Sequence, residues 1–164
     1  MDILELHGAE LYGLLVHLTL RAEVAGELMQ ELFVRLAESK AFGRAEDGWA
    51  YVRRAAINLA FDWRRRQARG RVDGSVVPEP IDPAPPPWLR LARREQAERI
   101  LALAMELPGL AREAFVLRYV HAERYETIGR ALGRTPHQAR GLCHAALQEL
   151  RRRLAPIDVE VFHE

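Results

Sequence analysis

The sequence of 164 residues contains one cysteine, Cys143, and no apolar run that approaches membrane-spanning length. A single cysteine excludes an internal disulfide and fits a reducing compartment. A membrane-spanning helix needs roughly 20 consecutive apolar residues, so no span is predicted. The first residues include the acids Asp2 and Glu5 and lack the basic start of a signal peptide. We therefore expect a cytoplasmic protein without membrane insertion.

Sequence motifs of catalytic sites are also missing. The six histidines occur in no HExxH or Cys-x-x-Cys arrangement, and the sequence has neither a glycine-rich phosphate loop nor a Gly-x-Ser-x-Gly segment. His144 follows Cys143 directly, but adjacent helical residues point about 100° apart, and Cys143 falls on an apolar stripe. The sequence thus predicts neither an enzyme, nor a metal site, nor a cofactor.

Strand signals are scarce, because β-branched residues are few and alternating apolar runs are absent. Leu, Ala, Arg and Glu dominate instead, which predicts an all-α protein. Apolar residues at helical spacing predict helices over residues 2–20, 25–37, 49–71, 88–106, 110–121, 125–132 and 136–154, with a loop over 39–48. The helices of the first half are expected to form a bundle of three or four helices.

Charge is distributed in blocks that the net charge of +1 conceals. Residues 1–47 carry nine acids and four bases, for a net −5, and residues 48–71 carry seven arginines and one acid, for a net +6. Residues 72–106 carry −2, residues 107–155 carry +5, and residues 156–164 carry −3. Two basic blocks predict two contacts with a polyanion, and the acidic first block predicts a surface for a basic partner.

Proline is concentrated in one segment, residues 72–87, which holds six of the nine prolines and no arginine. Proline lacks an N–H donor and disfavours helix at the residue before it. The segment is therefore predicted to be an extended linker between a domain of residues 1–71 and a second domain of residues 88–155, which an acidic tail of residues 156–164 follows. A Pro-rich docking segment for a partner is the alternative.

The basic helix predicted over residues 49–71 combines an apolar stripe with arginines. The stripe, which can pack on a core, consists of Trp49, Val52, Ala56, Leu59 and Trp63. Off the stripe lie Tyr51, Arg53, Arg54, Asn58 and Phe61. Guanidinium groups, exposed rings and a carboxamide on one helix suit a nucleic-acid backbone with unstacked bases. The alternative is a solvated amphipathic helix whose arginines only provide solubility.

The last two predicted helices have the pattern of a helix-turn-helix. Thr135 is a predicted N-cap and Pro136 occupies the first helical position, where its missing N–H costs nothing. Gly133 in the turn and the small Ala131 complete the pattern. The second helix would present His137, Gln138, Arg140, Gly141 and His144 to a major groove. An ordinary helical hairpin is the alternative.

The whole pattern resembles a bacterial RNA polymerase sigma factor of the extracytoplasmic-function (ECF) group, over nearly the entire chain. The segment AGELMQELFVRL is similar to the acidic helix with which that family docks on the polymerase clamp. Residues 58–62, Asn-Leu-Ala-Phe-Asp, match the Asn-Leu-Ala-x-Asp pattern of the family's promoter-melting helix. The segment that begins with Leu107-Pro108 and includes Tyr125-Glu126-x-Ile128 resembles the start of the family's second domain.

The resemblance implies a protein that binds core RNA polymerase and promoter DNA, reads the −35 and −10 elements, and melts the −10 region. It assigns the polymerase contact to Glu27, Gln30, Glu31 and Arg35. It assigns the −10 contact to Phe42, Tyr51, Arg54, Asn58, Arg64, Arg65, Arg66 and Arg69. It assigns the −35 contact to Arg134, Thr135, His137, Gln138, Arg140 and His144. It also implies an anti-sigma partner, which no residue identifies.

The sequence departs from the family pattern at a few positions. Arg53 replaces a usual aromatic residue, and Gly26 replaces a usual acid. Gly141, Leu142 and Ala145 make the last helix less basic than expected, which implies weak −35 recognition or a protein-binding face. The alternative function is a stand-alone helix-turn-helix regulator with an N-terminal helical effector or dimerisation domain.

Overall fold

A computed structural model describes residues 2–70 and 87–154, which are helices joined by short connections, with no strand among them. The predicted all-α class is confirmed. Apart from Pro87, the predicted linker lies outside the described residues, and the predicted acidic tail of residues 156–164 does so entirely. No helix within the described ranges is both long and apolar enough to cross a membrane.

The helices form two sets that follow one another along the chain. The N-terminal bundle consists of α1 (Asp2–Thr19), α2 (Ala22–Glu38), α3 (Lys40–Gly43) and α4 (Gly48–Arg69). The C-terminal group consists of α5 (Pro87–Ala104), α6 (Gly109–Phe115), a π-helical turn (Val116–Val120), α7 (Tyr125–Leu132) and α8 (Pro136–Arg153).

The core of the N-terminal bundle forms where α1, α2 and α4 pack on one another. Each helix contributes a stripe of leucine, valine or alanine at helical spacing, with Leu15, Leu32 and Val52 fully buried. The predicted loop over residues 39–48 was partly wrong, because it contains the short helix α3. Ser39 caps that helix by accepting a hydrogen bond from the backbone N–H of Phe42 at 3.1 Å.

The C-terminal group has its own core, in which α8 packs on α6 and α7. Phe115, Ile128 and Cys143 lie at its centre. The Cys143 thiol donates to the carbonyl oxygen of Ala114 at 3.5 Å, and burial raises the pKa of Cys143 to about 11. The prediction that Cys143 belongs to the core is confirmed, and its thiolate, the reactive form, is strongly disfavoured.

A tight turn joins α7 to α8. Gly133 has a φ of 64°, which a glycine adopts without strain. The predicted N-cap is confirmed, since Thr135 accepts a hydrogen bond from the backbone N–H of Gln138 at 3.1 Å. The predicted small residue Ala131 is buried. The turn also requires a glycine at position 129, because a Cβ there would lie 2.6 Å from the carbonyl oxygen of Arg134.

Candidate nucleic-acid interface

The start of α4 brings two of the predicted −10 residues together. Asp47 caps α4 by accepting from the backbone N–H of Ala50 at 3.0 Å. The short helix α3 then places Phe42 against Tyr51, with ring centroids 5.7 Å apart. The hydroxyl groups of Tyr51 and Ser39 are hydrogen-bonded at 3.0 Å. Both rings are half-buried, so each keeps a surface on which a base could stack.

One turn and two turns further along α4 lie Arg54 and Asn58, which are also half-buried. Their polar atoms are engaged by α6 of the C-terminal group. Arg54 Nε donates to Glu113 Oε2 at 2.8 Å, and Asn58 Nδ2 donates to Glu113 Oε1 at 3.0 Å. Arg112 Nη2 donates to Asn58 Oδ1 at 3.4 Å. In this arrangement the Asn58 carboxamide therefore has partners at both ends.

The four arginines predicted to hold phosphates have different surroundings. Arg64 is 7% exposed, donates from Nε to the carbonyl oxygen of Leu18, and pairs from Nη1 with Glu98 at 2.8 Å. It thus lies inside the contact between the two sets of helices, where a phosphate cannot reach it. Arg65 is half-buried and pairs with Asp62 at 2.7 Å. Arg66 and Arg69 are exposed at the end of α4 and are open to a phosphate backbone.

Two residues of α4 differ from the expected pattern of exposure. Phe61, expected to be an exposed ring, is fully buried, and Arg112 lies over its ring at 5.0 Å from the centroid. Arg53, also expected off the stripe, is 2% exposed and forms an ion pair with Glu123. Both are buried because α4 packs on α1 and α2 on one side and on α6 and α7 on the other.

The acidic helix α2 exposes the residues predicted to bind polymerase. Glu27, Gln30 and Arg35 are exposed, and Glu31 is half-buried and forms an ion pair with Arg35 one turn later. The sequence missed two apolar members of this surface. Val34 lies one turn beyond Gln30 and is 58% exposed, and Phe33 is 38% exposed. The face therefore offers carboxylates with an apolar patch beside them.

The start of α8 exposes all six residues predicted to read −35 DNA. Two of them already have local partners, because Thr135 and Gln138 form a reciprocal capping box in which the Gln138 side chain accepts from the backbone N–H of Thr135 at 3.0 Å. Arg134 donates to the carbonyl oxygen of Gly133 at 3.1 Å. The other three members of the set are His137, Arg140 and His144.

A single group of potential metal ligands occurs among residues 2–70 and 87–154. The ligand atoms of Glu10, His121 and Glu123 lie within 4.8 Å of one another. Arg53 donates to Glu123 and places a fixed positive charge beside the group, while His121 Nε2 is 3.0 Å from Glu10 Oε1. A divalent cation would be repelled by Arg53. The group therefore fits a network of hydrogen bonds between the two sets of helices better than a metal site.

Comparison with known protein families finds no family whose profile matches the chain. A relative among characterised proteins is the ECF RNA polymerase sigma factor SigE of Mycolicibacterium smegmatis, 30% identical over 159 residues. The alignment covers 94% of this chain and 61% of the relative. The chain thus spans about three fifths of the length of the protein it is similar to.

Proposed function

We propose that the chain is a sigma factor of the ECF group, which binds core RNA polymerase and directs promoter-specific transcription initiation. The observation that carries the proposal is the arrangement of α2 and α4. An exposed acidic face on α2 is followed by α4, which carries Tyr51, Asn58 and exposed terminal arginines. Phe42 of α3 packs against Tyr51 at the start of α4. The similarity to a sigma factor over 94% of the chain supports the same reading.

The proposed binding functions are assigned to consecutive segments of the chain. Residues 1–71 bind core polymerase and the −10 element, and residues 88–155 bind the −35 element through a helix-turn-helix. Residues 72–87 link the two domains, and residues 156–164 are an acidic tail. The protein has no catalytic step of its own, since the polymerase supplies the chemistry. It acts in the cytoplasm, where an anti-sigma factor controls it.

The polymerase contact uses the exposed face of α2. Glu27 and Glu31 present carboxylates to a basic surface, which speeds and orients docking. Val34 and Phe33 supply apolar area next to them. Arg35 fixes the Glu31 carboxylate through an ion pair within α2. Charge complementarity thus orients α2 on the polymerase, and the apolar patch adds apolar area that is buried on binding.

Strand opening uses the start and middle of α4. Bases that leave the duplex stack on Phe42 and Tyr51, and stacking contributes roughly 1–3 kcal/mol per base. This gain offsets the few kcal/mol needed to unstack and flip a base. Asn58 supplies donor and acceptor groups for a base edge, with Arg54 beside it. Arg65, Arg66 and Arg69 hold the phosphates, which makes binding salt-dependent.

The −35 contact uses the N-terminal half of α8. Arg134, His137, Arg140 and His144 present exposed side chains from the capped start of this helix, as a recognition helix does in a major groove. Thr135 and Gln138 contribute mainly by fixing where α8 begins.

The test is reconstituted transcription with purified core RNA polymerase on genomic fragments. The proposal predicts run-off transcripts that begin at discrete sites only when the protein is present. Pull-down of core polymerase by the tagged protein is the second measurement. If the protein does not bind core polymerase but binds a palindromic duplex by itself, it is the stand-alone helix-turn-helix regulator instead.

The polymerase surface has its own test. Glu27→Arg with Glu31→Arg reverses the charge of α2 and should abolish the pull-down while leaving the helical content unchanged. Glu5→Arg makes the same type of charge change at an exposed position of α1 and should leave the pull-down intact. Equal losses in both proteins would place the polymerase contact elsewhere.

A further inference from the structure

Three glycines of the α7–α8 pair differ in what requires them. Gly133 has a positive φ in the turn, and Gly129 lies too close to the carbonyl oxygen of Arg134 to carry a Cβ. Neither reason applies to Gly141. It lies inside α8, and no atom of residues 2–70 and 87–154 is within 4 Å of a Cβ built on it. Because glycine destabilises a helix interior relative to alanine, the packing of the described chain gives no reason for a glycine at position 141.

Gly141 lies at the centre of the exposed side of α8. Ala139 and Cys143, two residues before it and two residues after it, are buried in the core of the C-terminal group. Successive helical residues are about 100° apart, so position 141 faces about 200° away from both. Ala145 follows one turn later and is also exposed. The outermost strip of α8, named the small-residue strip, therefore consists of Gly141 and Ala145.

Two longer polar side chains lie beside the small-residue strip. His137 precedes Gly141 by about one turn, His144 follows it by about one turn, and both are exposed. In the proposed function the exposed side of α8 enters a major groove. The small-residue strip then lies nearest to the base edges, with the two imidazole rings on one side of it.

The small-residue strip offers no side-chain hydrogen-bond donor or acceptor. Most groups on the base edges of the major groove are donors or acceptors, and each loses its hydrogen bond with water when an apolar surface covers it. The C5-methyl group of thymine is the exception, because it gains from contact with an apolar surface. A glycine at the centre of the strip lets the backbone of α8 come closer to that methyl group than any other residue would.

We propose that Gly141 is a specificity-determining residue that packs the backbone of α8 against a thymine methyl group and so selects an A·T base pair in the −35 element. This inference rests on the proposed function of α8 and adds the chemistry of the base that α8 reads. The methyl group on the base occupies the space that a side chain at position 141 would fill. Chain and base are thus complementary at this point only if one of them lacks a methyl group.

The test uses the full chain bound to core RNA polymerase and a promoter duplex from a fragment that gives run-off transcripts. Each thymine of the −35 element is replaced in turn by deoxyuridine, which lacks only the C5-methyl group. Gel-shift titration measures the dissociation constant of each duplex. We expect a loss of about fourfold at one thymine or more, the effect of removing one buried methyl group.

Gly141→Ala supplies the methyl group from the side of the protein. It should bind the thymine duplex about tenfold more weakly than the natural protein, because two methyl groups would occupy the same space. It should bind the deoxyuridine duplex more tightly than the thymine duplex, which reverses the natural preference. A residue with a structural role alone would not reverse it. The melting temperature of Gly141→Ala should rise, which excludes misfolding as the cause of weaker binding.

The control is Gly13→Ala, which makes the same substitution inside α1. A Cβ built on Gly13 also has no atom of the described residues within 4 Å. This variant should keep the natural preference for thymine, because α1 has no part in the proposed −35 contact. If Gly141→Ala keeps that preference as well, the inference is overturned.

Run-off transcription with the natural protein separates this inference from the function on which it rests. Transcripts together with equal binding of the thymine duplex and every deoxyuridine duplex would overturn the role of Gly141 alone. If no genomic fragment gives transcripts, the proposed function fails and this inference fails with it. A reversed preference in Gly141→Ala, with Gly13→Ala unchanged, supports the inference.

Discussion

The guanidinium group of Arg53 and the carboxylate of Glu123 form an ion pair in which the two side chains are unequally exposed. The Arg53 side chain is 2% exposed, whereas that of Glu123 is 24% exposed. Arg53 also lies over the Trp49 ring at 5.3 Å from the centroid. The buried Arg53 charge therefore needs Glu123 as its counter-charge, whereas the Glu123 carboxylate can also be solvated by water.

This inequality predicts an asymmetric effect on stability. Glu123→Ala leaves the Arg53 charge buried without a counter-charge and should lower the free energy of unfolding by about 3 kcal/mol. Arg53→Met removes the buried charge and leaves a carboxylate that water can reach, so the loss should be smaller. Urea unfolding followed by circular dichroism measures both. A greater loss in Arg53→Met would contradict the prediction.

Asn58→Ala should impair promoter opening and leave polymerase binding intact, because Asn58 lies on α4 and the proposed polymerase surface lies on α2. A carboxamide that reads a base edge contributes about 1–3 kcal/mol, so open complexes should fall by roughly tenfold or more. Permanganate footprinting of the melted strand measures the effect. Gln67→Ala removes an exposed carboxamide from the same helix and serves as the control. Loss of polymerase binding in Asn58→Ala would contradict this division of surfaces.

The pKa of His121 is lowered from its usual value of 6.5, with burial as the largest cause. The charged neighbours act in both directions. Glu10 of α1 and Glu123 raise the pKa, while Arg53 of α4 and His17 of α1 lower it. The imidazole is therefore held in its neutral form in the folded chain at neutral pH.

The pH dependence of stability follows from this direction. The unfolded chain binds a proton at His121 more readily than the folded chain, so stability is complete above the usual pKa of 6.5 and falls as the pH decreases below it. The melting temperature should fall more between pH 7 and pH 5.5 in the natural protein than in His121→Gln. His137→Gln, at an exposed position of α8, should retain the natural dependence. If the melting temperatures of the natural protein and His121→Gln fall equally between pH 7 and pH 5.5, His121 is not the group responsible.

Two glycines of the α7–α8 pair should respond oppositely to alanine. A Cβ at Gly129 would lie 2.6 Å from the backbone oxygen of Arg134. Relieving this clash requires the backbone of α7 or of the turn to shift, which costs stability. Gly129→Ala should cost at least about 2 kcal/mol. Gly141 has nothing within 4 Å of a built Cβ and lies inside α8, so Gly141→Ala should stabilise by about 0.5–1 kcal/mol. Thermal unfolding of both variants measures the contrast, and a stabilising Gly129→Ala would contradict the close approach.

Hydrophobic periodicity predicted every long helix because each buries at least one apolar stripe. It could not predict that α4 is covered on a second side, since that burial depends on helices that come later in the chain. Arg53 and Phe61 were consequently expected to be exposed. The helix α3 was missed because four residues are too few to show a period.

The sequence indicated candidate site residues one by one but not their arrangement. Local patterns indicated Tyr51, Asn58 and the arginines of α4. Nothing in a local window relates Asn58 to Glu113, which is 55 residues away in the chain. The only local sign of a contact between the two sets of helices was Arg53, because the family that the chain resembles usually has an aromatic residue there. In the structure Arg53 forms an ion pair with Glu123.

The capping box at the start of α8 limits how this protein could acquire a new binding preference. The side chains of Thr135 and Gln138 each accept a hydrogen bond from the other's backbone N–H. Replacing either residue therefore removes a helix cap that contributes about 1 kcal/mol. Arg134, His137, Arg140 and His144 have no part in that cap. Evolution can change these four residues at little cost to the helix, whereas a change at Thr135 or Gln138 must be accompanied by a compensating gain in stability.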